Sequence, residues 1–345
     1  MDSVSQFVLG AAVGGALLGP KIGRKALLWG GVIATVPDLD VFVPLGDPVS
    51  NFTYHRSASH SLLVLTLLTP LLAWLMRRLH LASTVPFKDW AGFVWLILVT
   101  HVLLDCFTIY GTQIFWPFRS EPVGWGTIFI VDPLYTIPLL VAVVVGLCLR
   151  EPSRLRRWSN LGLVVSSLYL AFTVGAKLHV DRVVADSLAK QEITYRQFMT
   201  VPTYFNTVLW RTVVMTDEGY LEGFYSLTDP EPRIGFRFYP SQPQLLSSVG
   251  ESWAVQRLTW FTKGFYRVLQ EDDWITVTDL RMGQEPDYVF SFRVAVRQDE
   301  QVVAIVNERH PQPGPSPRAL SQVWERIFTG PEVDSCSSSG ASLTC

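Results

Sequence analysis

The stretch that decides the fold lies at residues 90–110, which read WAGFVWLILVTHVLLDCFTIY. Its length matches the roughly 20 residues that an α-helix needs to cross the hydrocarbon core of a membrane. It carries one histidine, His101, and one aspartate, Asp105. The stretch therefore predicts a membrane-spanning helix with two polar groups inside the apolar region.

Other apolar stretches surround it in the first half of the chain. Two of them, 127–149 and 161–178, qualify fully as spans. A third, 61–76, is shorter, and two near the start, 7–19 and 26–43, are weaker. Pro37 interrupts the stretch 26–43, so the first two segments fit either short tilted helices or a re-entrant pair. Glycines in 7–19 have the GxxxG spacing that lets a neighbouring helix approach closely. We predict about six membrane segments.

The two halves of the chain differ in polarity. The 345 residues are 49% hydrophobic and 17% charged, with a mean hydropathy of +0.26. Residues 1–180 hold 22 charged side chains, and the remaining 165 hold 36. This composition excludes a disordered chain, a collagen-like chain and a disulfide scaffold. The soluble half has 15 Lys and Arg against 21 Asp and Glu, which argues against a nucleic-acid partner.

Basic residues predict the orientation, because short cytoplasmic loops are enriched in Lys and Arg. The first, third and fifth loops carry nearly all of them: Lys21, Arg24, Lys25, Arg77, Arg78, Lys88, Arg150, Arg154, Arg156 and Arg157. These loops are therefore predicted to be cytoplasmic. The second and fourth loops and the soluble half are expected on the periplasmic or extracellular side of the cytoplasmic membrane.

Ionisable residues within the apolar half are candidates for function, because their burial in lipid is costly. Seven of them occur in four groups: Asp38 and Asp40, His55 and His60, His101 and Asp105, and Asp132. With the predicted orientation, all seven fall in the outer third of the bilayer. Residues scattered at random would have fallen on both sides of the membrane.

The chemistry of this set is typical of metal binding, since imidazole nitrogen and carboxylate oxygen are the ligands of zinc, manganese and iron sites. His101 and Asp105 are four residues apart and lie on one helix face. His55 and His60 would diverge by roughly 140° on a continuous helix. We therefore expect His55 on the loop and His60 in the first helical turn. The set could hold one or two ions.

Other interpretations remain open. A histidine in a membrane helix can be a hydrogen-bonded packing residue, and an Asp-Pro pair can be a helix cap. The cluster could also join helices in a non-catalytic membrane scaffold, or serve a cation transporter. Its predicted confinement to one face of the membrane argues against a transport pathway.

The same residues, with their surroundings, resemble a known family. The resemblance rests on PDLD at 37–40, HR followed by HSL at 55–62, HVLLD at 101–105, YGT at 110–112, WPF at 116–118 and IVDPLY at 130–135. The chain is similar to the YdjM/YfhP-type bacterial inner-membrane proteins, which are regarded as metal-dependent hydrolases. The likeness continues into the second half, at Pro202-Thr203, Asn206, Leu209-Trp210-Arg211 and Tyr220.

The resemblance also implies ligands near the N-terminus, where the family has an Asp followed by Thr-His. Here Asp2 is present, but Ser5-Gln6 stands in place of Thr-His. The Gln6 side-chain carbonyl can still coordinate a metal, more weakly than histidine. The departure puts one ligand in doubt and could change the choice of metal or empty a second metal position.

The second half reads as alternating strands and turns. Strands are predicted near 207–216, 220–227, 234–239, 255–260, 266–269, 274–279, 288–296 and 302–306, and a helix at 320–328. The predicted organisation is a membrane-embedded helical domain at 1–180, a helical connector at 181–200, a soluble, mainly antiparallel β domain at 201–330 and a flexible tail at 331–345. Cys336 and Cys345 in that tail could pair outside the cytoplasm.

The sequence thus predicts a multi-pass inner-membrane hydrolase that uses one or two divalent ions, zinc in preference to manganese or iron. The expected metal ligands are His55, His60, His101 and Asp105, with Asp2 and Gln6 added by the resemblance. Asp38, Asp40 and Asp132 are expected as further ligands or as the general base, and Arg56 as a partner for an anionic oxygen. The expected substrate is a phosphoester or a lipid-like molecule, membrane lipid is the expected partner, and the oligomeric state is left open.

Overall fold

A computed structural model describes residues 1–80, 84–118, 121–298, 301–310 and 317–329. The predicted tail at 331–345, with Cys336 and Cys345, lies outside the described residues. The chain divides into two compact units. The first comprises Met1–Gly46 and Ser50–Val174, and the second comprises Asp47–Val49 and the chain from Gly175 onward.

The first part of the chain is helical, as predicted. Its helices are α1 (Ser3–Ile22), α2 (Lys25–Ala34), α3 (Pro48–Tyr54), α4 (Leu62–Leu79), α5 (Phe87–Phe107), α6 (Pro133–Cys148) and α7 (Pro152–Lys190). Two short 3-10 turns, Pro37–Phe42 and Ala58–His60, lie between α2 and α4. Four helices, α1, α4, α5 and α7, are long and apolar enough to cross a membrane, and α2 and α6 are shorter apolar helices.

The helix bounds extend two of the predicted segments and shorten a third. The segment 7–19 belongs to the 20-residue helix α1, which is long enough to span. The segment 127–149 contains only a 16-residue helix, because α6 begins at Pro133, where a proline fits the first helical position. The segment 161–178 is the middle of the 39-residue helix α7.

Small residues allow α1 and α2 to pack closely. A Cβ atom on Gly10 would lie 2.5 Å from the Gly30 carbonyl oxygen, and one on Gly30 would lie 2.2 Å from the Gly10 carbonyl oxygen. A Cβ on Gly15 would lie 2.3 Å from the Ser159 hydroxyl of α7. These glycines therefore serve helix packing, as their spacing indicated.

Helix α5 forms the centre of the first unit. Its residues Trp90, Phe93 and Ile97 are buried, and so are His101 and Asp105 near its end. The helix packs against α1, α2 and α4. Because neighbours cover it on several sides, its polar side chains face protein rather than lipid.

The second unit contains antiparallel sheets. Its strands are β1 (Gln197–Pro202), β2 (Leu209–Met215), β3 (Gly219–Ser226), β4 (Phe236–Pro240), β5 (Tyr266–Glu271), β6 (Trp274–Asp279), β7 (Gly283–Gln284), β8 (Asp287–Tyr288), β9 (Ser291–Gln298) and β10 (Gln301–Arg309). They form sheets ordered β1-β2-β3-β4 and β10-β9-β6-β5 and the short pair β7-β8. The end of α7 packs in the core of this unit, which also contains the helices α8 (Trp253–Phe261) and α9 (Pro317–Thr329). The predicted fold class is confirmed.

Two predictions in this half were wrong. The expected strand 255–260 lies within α8, whose buried residues Ala254, Val255, Leu258 and Phe261 have helical spacing. The expected helical connector 181–200 is helical only to Lys190, and strand β1 begins at Gln197.

A buried ion pair joins elements of the β unit. Arg211 on β2 pairs with Glu222 on β3, and it also donates hydrogen bonds to the Leu280 carbonyl at 2.7 Å and the Tyr288 hydroxyl at 2.9 Å. Burial alone would lower the pKa of Arg211, but the adjacent Glu222 carboxylate raises that pKa above its ordinary value. Both partners are almost fully buried, so the loss of either would leave an uncompensated charge.

Candidate metal centre

Four side chains converge on one point in the first unit. Asp38, His60, His101 and Asp105 each offer a ligand atom, and these atoms all lie within 4.8 Å of one another. The side chains of His60, His101 and Asp105 are fully buried, whereas the Asp38 side chain is 20% exposed. Asp38 is therefore the member of the cluster that faces the open side.

Three separate elements supply these residues. His101 and Asp105 lie one turn apart near the end of α5. Asp38 lies on the 3-10 turn that begins at Pro37, after α2 has ended. His60 ends the second 3-10 turn, and α4 begins two residues later because Ser61 caps it by accepting a bond from the Val64 amide. The expectation that His60 lies in the first turn of the helix was therefore wrong.

Five of the six distances between the ligand atoms suit a tetrahedral ion, and the sixth, between Asp38 and Asp105, is within 4.8 Å. His60 Nε2 lies 3.4 Å from Asp38 Oδ1, 3.2 Å from Asp105 Oδ2 and 3.3 Å from His101 Nε2. His101 Nε2 lies 3.6 Å from Asp38 Oδ1 and 3.5 Å from Asp105 Oδ2. Zinc bonds of about 2.0–2.2 Å in a tetrahedron separate neighbouring ligand atoms by about 3.3–3.6 Å. The donor set and its spacing therefore fit zinc.

The two oxygens of Asp105 have different surroundings. Its Oδ1 accepts a hydrogen bond from Gln6 Nε2 at 3.1 Å, lies 3.3 Å from the Arg56 guanidinium and contacts the amino group of Met1. Its Oδ2 is buried and has no hydrogen-bond donor among the described residues, although both cluster histidines face it. A cation held by the cluster would satisfy this oxygen.

A chain of hydrogen bonds orients His60. The Ser59 hydroxyl donates to Asp40 Oδ2 at 2.6 Å, so it has no second proton to give to His60. His60 must therefore be the donor in the hydrogen bond of 2.9 Å between its Nδ1 and the Ser59 hydroxyl. With its proton on Nδ1, His60 presents the lone pair of Nε2 to the cluster. This is the arrangement that a metal-ligating histidine requires.

His55 lies beside the cluster rather than within it. Its Nδ1 donates to Asp40 Oδ1 at 2.9 Å, and its ring centre is 6.0 Å from that of His60. Asp40 also accepts hydrogen bonds from the Ser59 hydroxyl at 2.6 Å and the Arg56 amide at 3.1 Å, so donors surround both carboxylate oxygens. Asp40 is thus an ionised support for both histidines. The geometry leaves His55 outside the four-atom cluster, although the sequence suggested it as a ligand.

The remaining candidates have other surroundings. Asp132 caps α6, where it accepts bonds from the Leu134 amide at 2.9 Å and the Tyr169 hydroxyl at 2.8 Å. Asp2 caps α1 in the same way. Neither belongs to the cluster found among the described residues. For Asp132, the structure favours the alternative reading of the Asp-Pro pair as a helix cap.

Two further candidates border the cluster. Gln6 donates to Asp105 and to the His101 carbonyl, and its Oε1 is buried without a partner among the described residues. Arg56 is 5% exposed, pairs with Asp105 and lies 5.0 Å above the Tyr110 ring. The positive charge of Arg56 is thus already paired with the Asp105 carboxylate. Ser59 was not singled out from the sequence, although its position next to His60 was a usable signal.

The chain is similar to a known membrane protein family and to a curated bacterial protein. The family model described as YdjM inner membrane protein matches residues 1–180. A Bacillus subtilis (strain 168) protein described as "Uncharacterized protein YfhP" is 31% identical over 158 residues, which cover 42% of this chain and 46% of that protein. The chain thus matches about half the length of this curated relative. No solved structure matches the chain.

Proposed function

This chain belongs to the YdjM inner membrane protein family, and we propose that it is a membrane-bound metal-dependent hydrolase. The observation that carries the proposal is the buried set of two imidazole nitrogens and two carboxylate oxygens at tetrahedral spacing. This set would hold one ion through Asp38, His60, His101 and Asp105. Zinc suits the spacing best, while manganese and iron accept the same donor types.

A divalent ion at this site would supply Lewis-acid polarisation of a substrate oxygen and would lower the pKa of a water molecule toward neutrality. The residues of the chain set the other requirements. Ser59 and Asp40 hold His60 in the correct tautomer, and Gln6 and Arg56 hold one oxygen of Asp105 in place. These supports keep the ligands pre-organised.

His55 is the best-placed group to accept a proton. Because its Nδ1 donates to Asp40, its Nε2 carries the free lone pair. Its side chain is 26% exposed and that of Asp40 is 16% exposed, so the pair borders the open side of the cluster. We assign His55 as the general base and Asp40 as the group that orients it. Asp132, which caps α6, has no part in this assignment.

The surroundings of the open side support a lipid-like substrate. The turn that carries Asp38 and Asp40 also carries Leu39, Val41 and Phe42, which are 52%, 68% and 79% exposed. Exposed apolar side chains are costly in water and favourable in a bilayer. A substrate with a phosphoester head and an apolar body would place the head at the cluster and the body along this turn.

The charge pattern supports a placement for this site. The cluster lies near the start of α1 and the end of α5, whereas the basic residues concentrate at the opposite helix ends. Under the positive-inside rule, the cluster would face the periplasmic or extracellular side, and the C-terminal domain would also lie there. The substrate would then be drawn from the outer leaflet.

The proposal is tested by metal analysis and a substrate screen on the purified full-length protein. We expect about one zinc per chain and hydrolysis of a phospholipid or a phosphodiester, both lost in His60→Ala. The variant His55→Ala is expected to keep the metal and lose turnover, because His55 lies outside the ligand set. A protein without metal, or with metal content unaffected by His60→Ala, would refute the site. Cation flux in liposomes without hydrolysis would instead indicate a transporter.

A further inference from the structure

A cavity lies at the other end of the helical unit. Its volume is about 610 Å³, and it is formed between Pro20, near the end of α1, and the first turns of α7. Gln6, beside the metal cluster, is 14 residues before Pro20 on the same helix. At 1.5 Å per residue, the cavity is about 21 Å from the cluster along the axis of α1. It is therefore separate from the proposed active site and lies at the helix ends that the basic residues predict to be cytoplasmic.

The cavity offers cationic donors for an anion. Arg156 and Arg157 line it, together with the amide of Asn160; the Ser153 hydroxyl also lines it but donates to the Glu151 carboxylate. Glu151 also lines it, but Arg154 neutralises this carboxylate at 2.7 Å. The two lining arginines thus contribute a net positive charge to the cavity.

These two arginines differ from the neighbouring Lys21 and Arg24, which have partners. Lys21 pairs with Asp89, and Arg24 donates to the Leu147 carbonyl at 3.1 Å. In the part of the chain that the structure describes, Arg156 and Arg157 have no ion pair or side-chain hydrogen bond. Arginine donors suit the planar recognition of phosphate oxygens.

The next turn of α7 points to a lipid as the source of the phosphate. Trp158 is 37% exposed and Leu161 is 51% exposed, so apolar surface begins directly beside the cavity. Tryptophan is typical of the headgroup level, and basic pockets between membrane helices bind anionic headgroups. We propose that this cavity is a binding site for the phosphate headgroup of an anionic phospholipid, whose acyl chains lie along α7.

The test uses the full-length protein in detergent, titrated with phosphatidylglycerol or phosphatidylcholine, with bound lipid counted by native mass spectrometry. Each basic residue near an anionic headgroup contributes about a five-fold gain in binding. We therefore expect a phosphatidylglycerol preference of at least about five-fold. The double variant R156Q/R157Q should lose it, and R157Q alone should lose part of it. The matched control R77Q/R78Q removes the same charge at the end of α4, outside the cavity, and should keep the preference.

Three results would overturn the proposal. The wild-type protein could show no preference for phosphatidylglycerol, or the two double variants could lose it equally, which would indicate a general effect of basic charge. Inorganic phosphate at the lipid concentration could displace all bound phosphatidylglycerol, which would identify a soluble anion as the ligand. Circular dichroism and the elution profile of R156Q/R157Q verify folding. If this double variant does not fold, the phosphatidylglycerol preference of R157Q alone tests the proposal.

Discussion

The substitution His60→Ala removes one of the four groups that define the candidate metal centre. His60 Nε2 makes three of the close approaches within the cluster, at 3.2, 3.3 and 3.4 Å. The remaining ligand atoms of Asp38, His101 and Asp105 would form an incomplete set. We therefore expect a loss of zinc affinity without a loss of the helical fold, because α4 begins only after His60.

The magnitude follows from the role of each group. Loss of a side chain that holds a metal ligand in place by a hydrogen bond typically weakens metal binding 10–100-fold. Ser59→Ala, which breaks the link between Asp40 and His60, should fall in that range, or about 1.4–2.8 kcal/mol. Loss of the ligand itself should exceed the upper limit, so His60→Ala should weaken binding more than about 100-fold. The matched control Asp132→Asn changes a helix cap outside the cluster and should leave zinc affinity unchanged.

The assay is a competition titration of the purified protein with a zinc chelator of known affinity, supported by elemental analysis. The expected order of zinc affinity is wild type equal to Asp132→Asn, then Ser59→Ala, then His60→Ala. The reasoning would be refuted if Asp132→Asn lost zinc as severely as His60→Ala. It would equally be refuted if Ser59→Ala and wild type bound zinc with the same affinity. The hydrogen bond from Ser59 would then not be needed to hold His60 in the metal-binding tautomer.

Three other predictions address packing, the β unit and the substrate. Gly10→Val should destabilise the protein by about 1–3 kcal/mol in thermal unfolding, because a Cβ there would lie 2.3 Å from another side chain; Gly92→Ala, with open space, should not. Arg211→Met should cost about 3–5 kcal/mol in denaturant titrations by leaving Glu222 buried and unpaired, and a smaller cost would contradict the ion-pair argument. Phe42→Ser should lower kcat/KM for a long-chain phospholipid but not for a soluble phosphodiester, and an equal loss on both would exclude the proposed role of this turn.

Much of the fold could be predicted from local patterns. The apolar stretch at 90–110 corresponds to α5, and the alternating strands of the second half form antiparallel sheets. The wrong predictions can also be explained from the local sequence. The stretch 255–260 contains β-branched and aromatic residues typical of a strand, but Val255, Leu258 and Phe261 are spaced for one face of a helix. Short apolar segments are ambiguous because burial in the tertiary structure selects between the two periods.

The candidate site also has a part that could be predicted from the local sequence and a part that could not. The pair His101 and Asp105 could be predicted to act together, because four residues on a helix always return to the same face. The positions of His60 and Asp38 could not, because both lie on 3-10 turns whose directions depend on the packing of the adjoining helices. Asp132 resembles these residues in sequence, yet nearby backbone amides use its carboxylate as a cap.

The sequence by itself determined the apolar helical half and the β-rich half, the family and the types of side chain available for a metal. These properties depend on composition, on periodicity and on short motifs, all of which are local. Only the tertiary structure decided which polar residues share one point and which cap helices. Convergence of Asp38, His60, His101 and Asp105 requires separate elements to meet around α5, and the close packing of α1 on α2 through Gly10 and Gly30 is part of that assembly. Distances between residues far apart in the chain are set by such packing, and no local pattern encodes them.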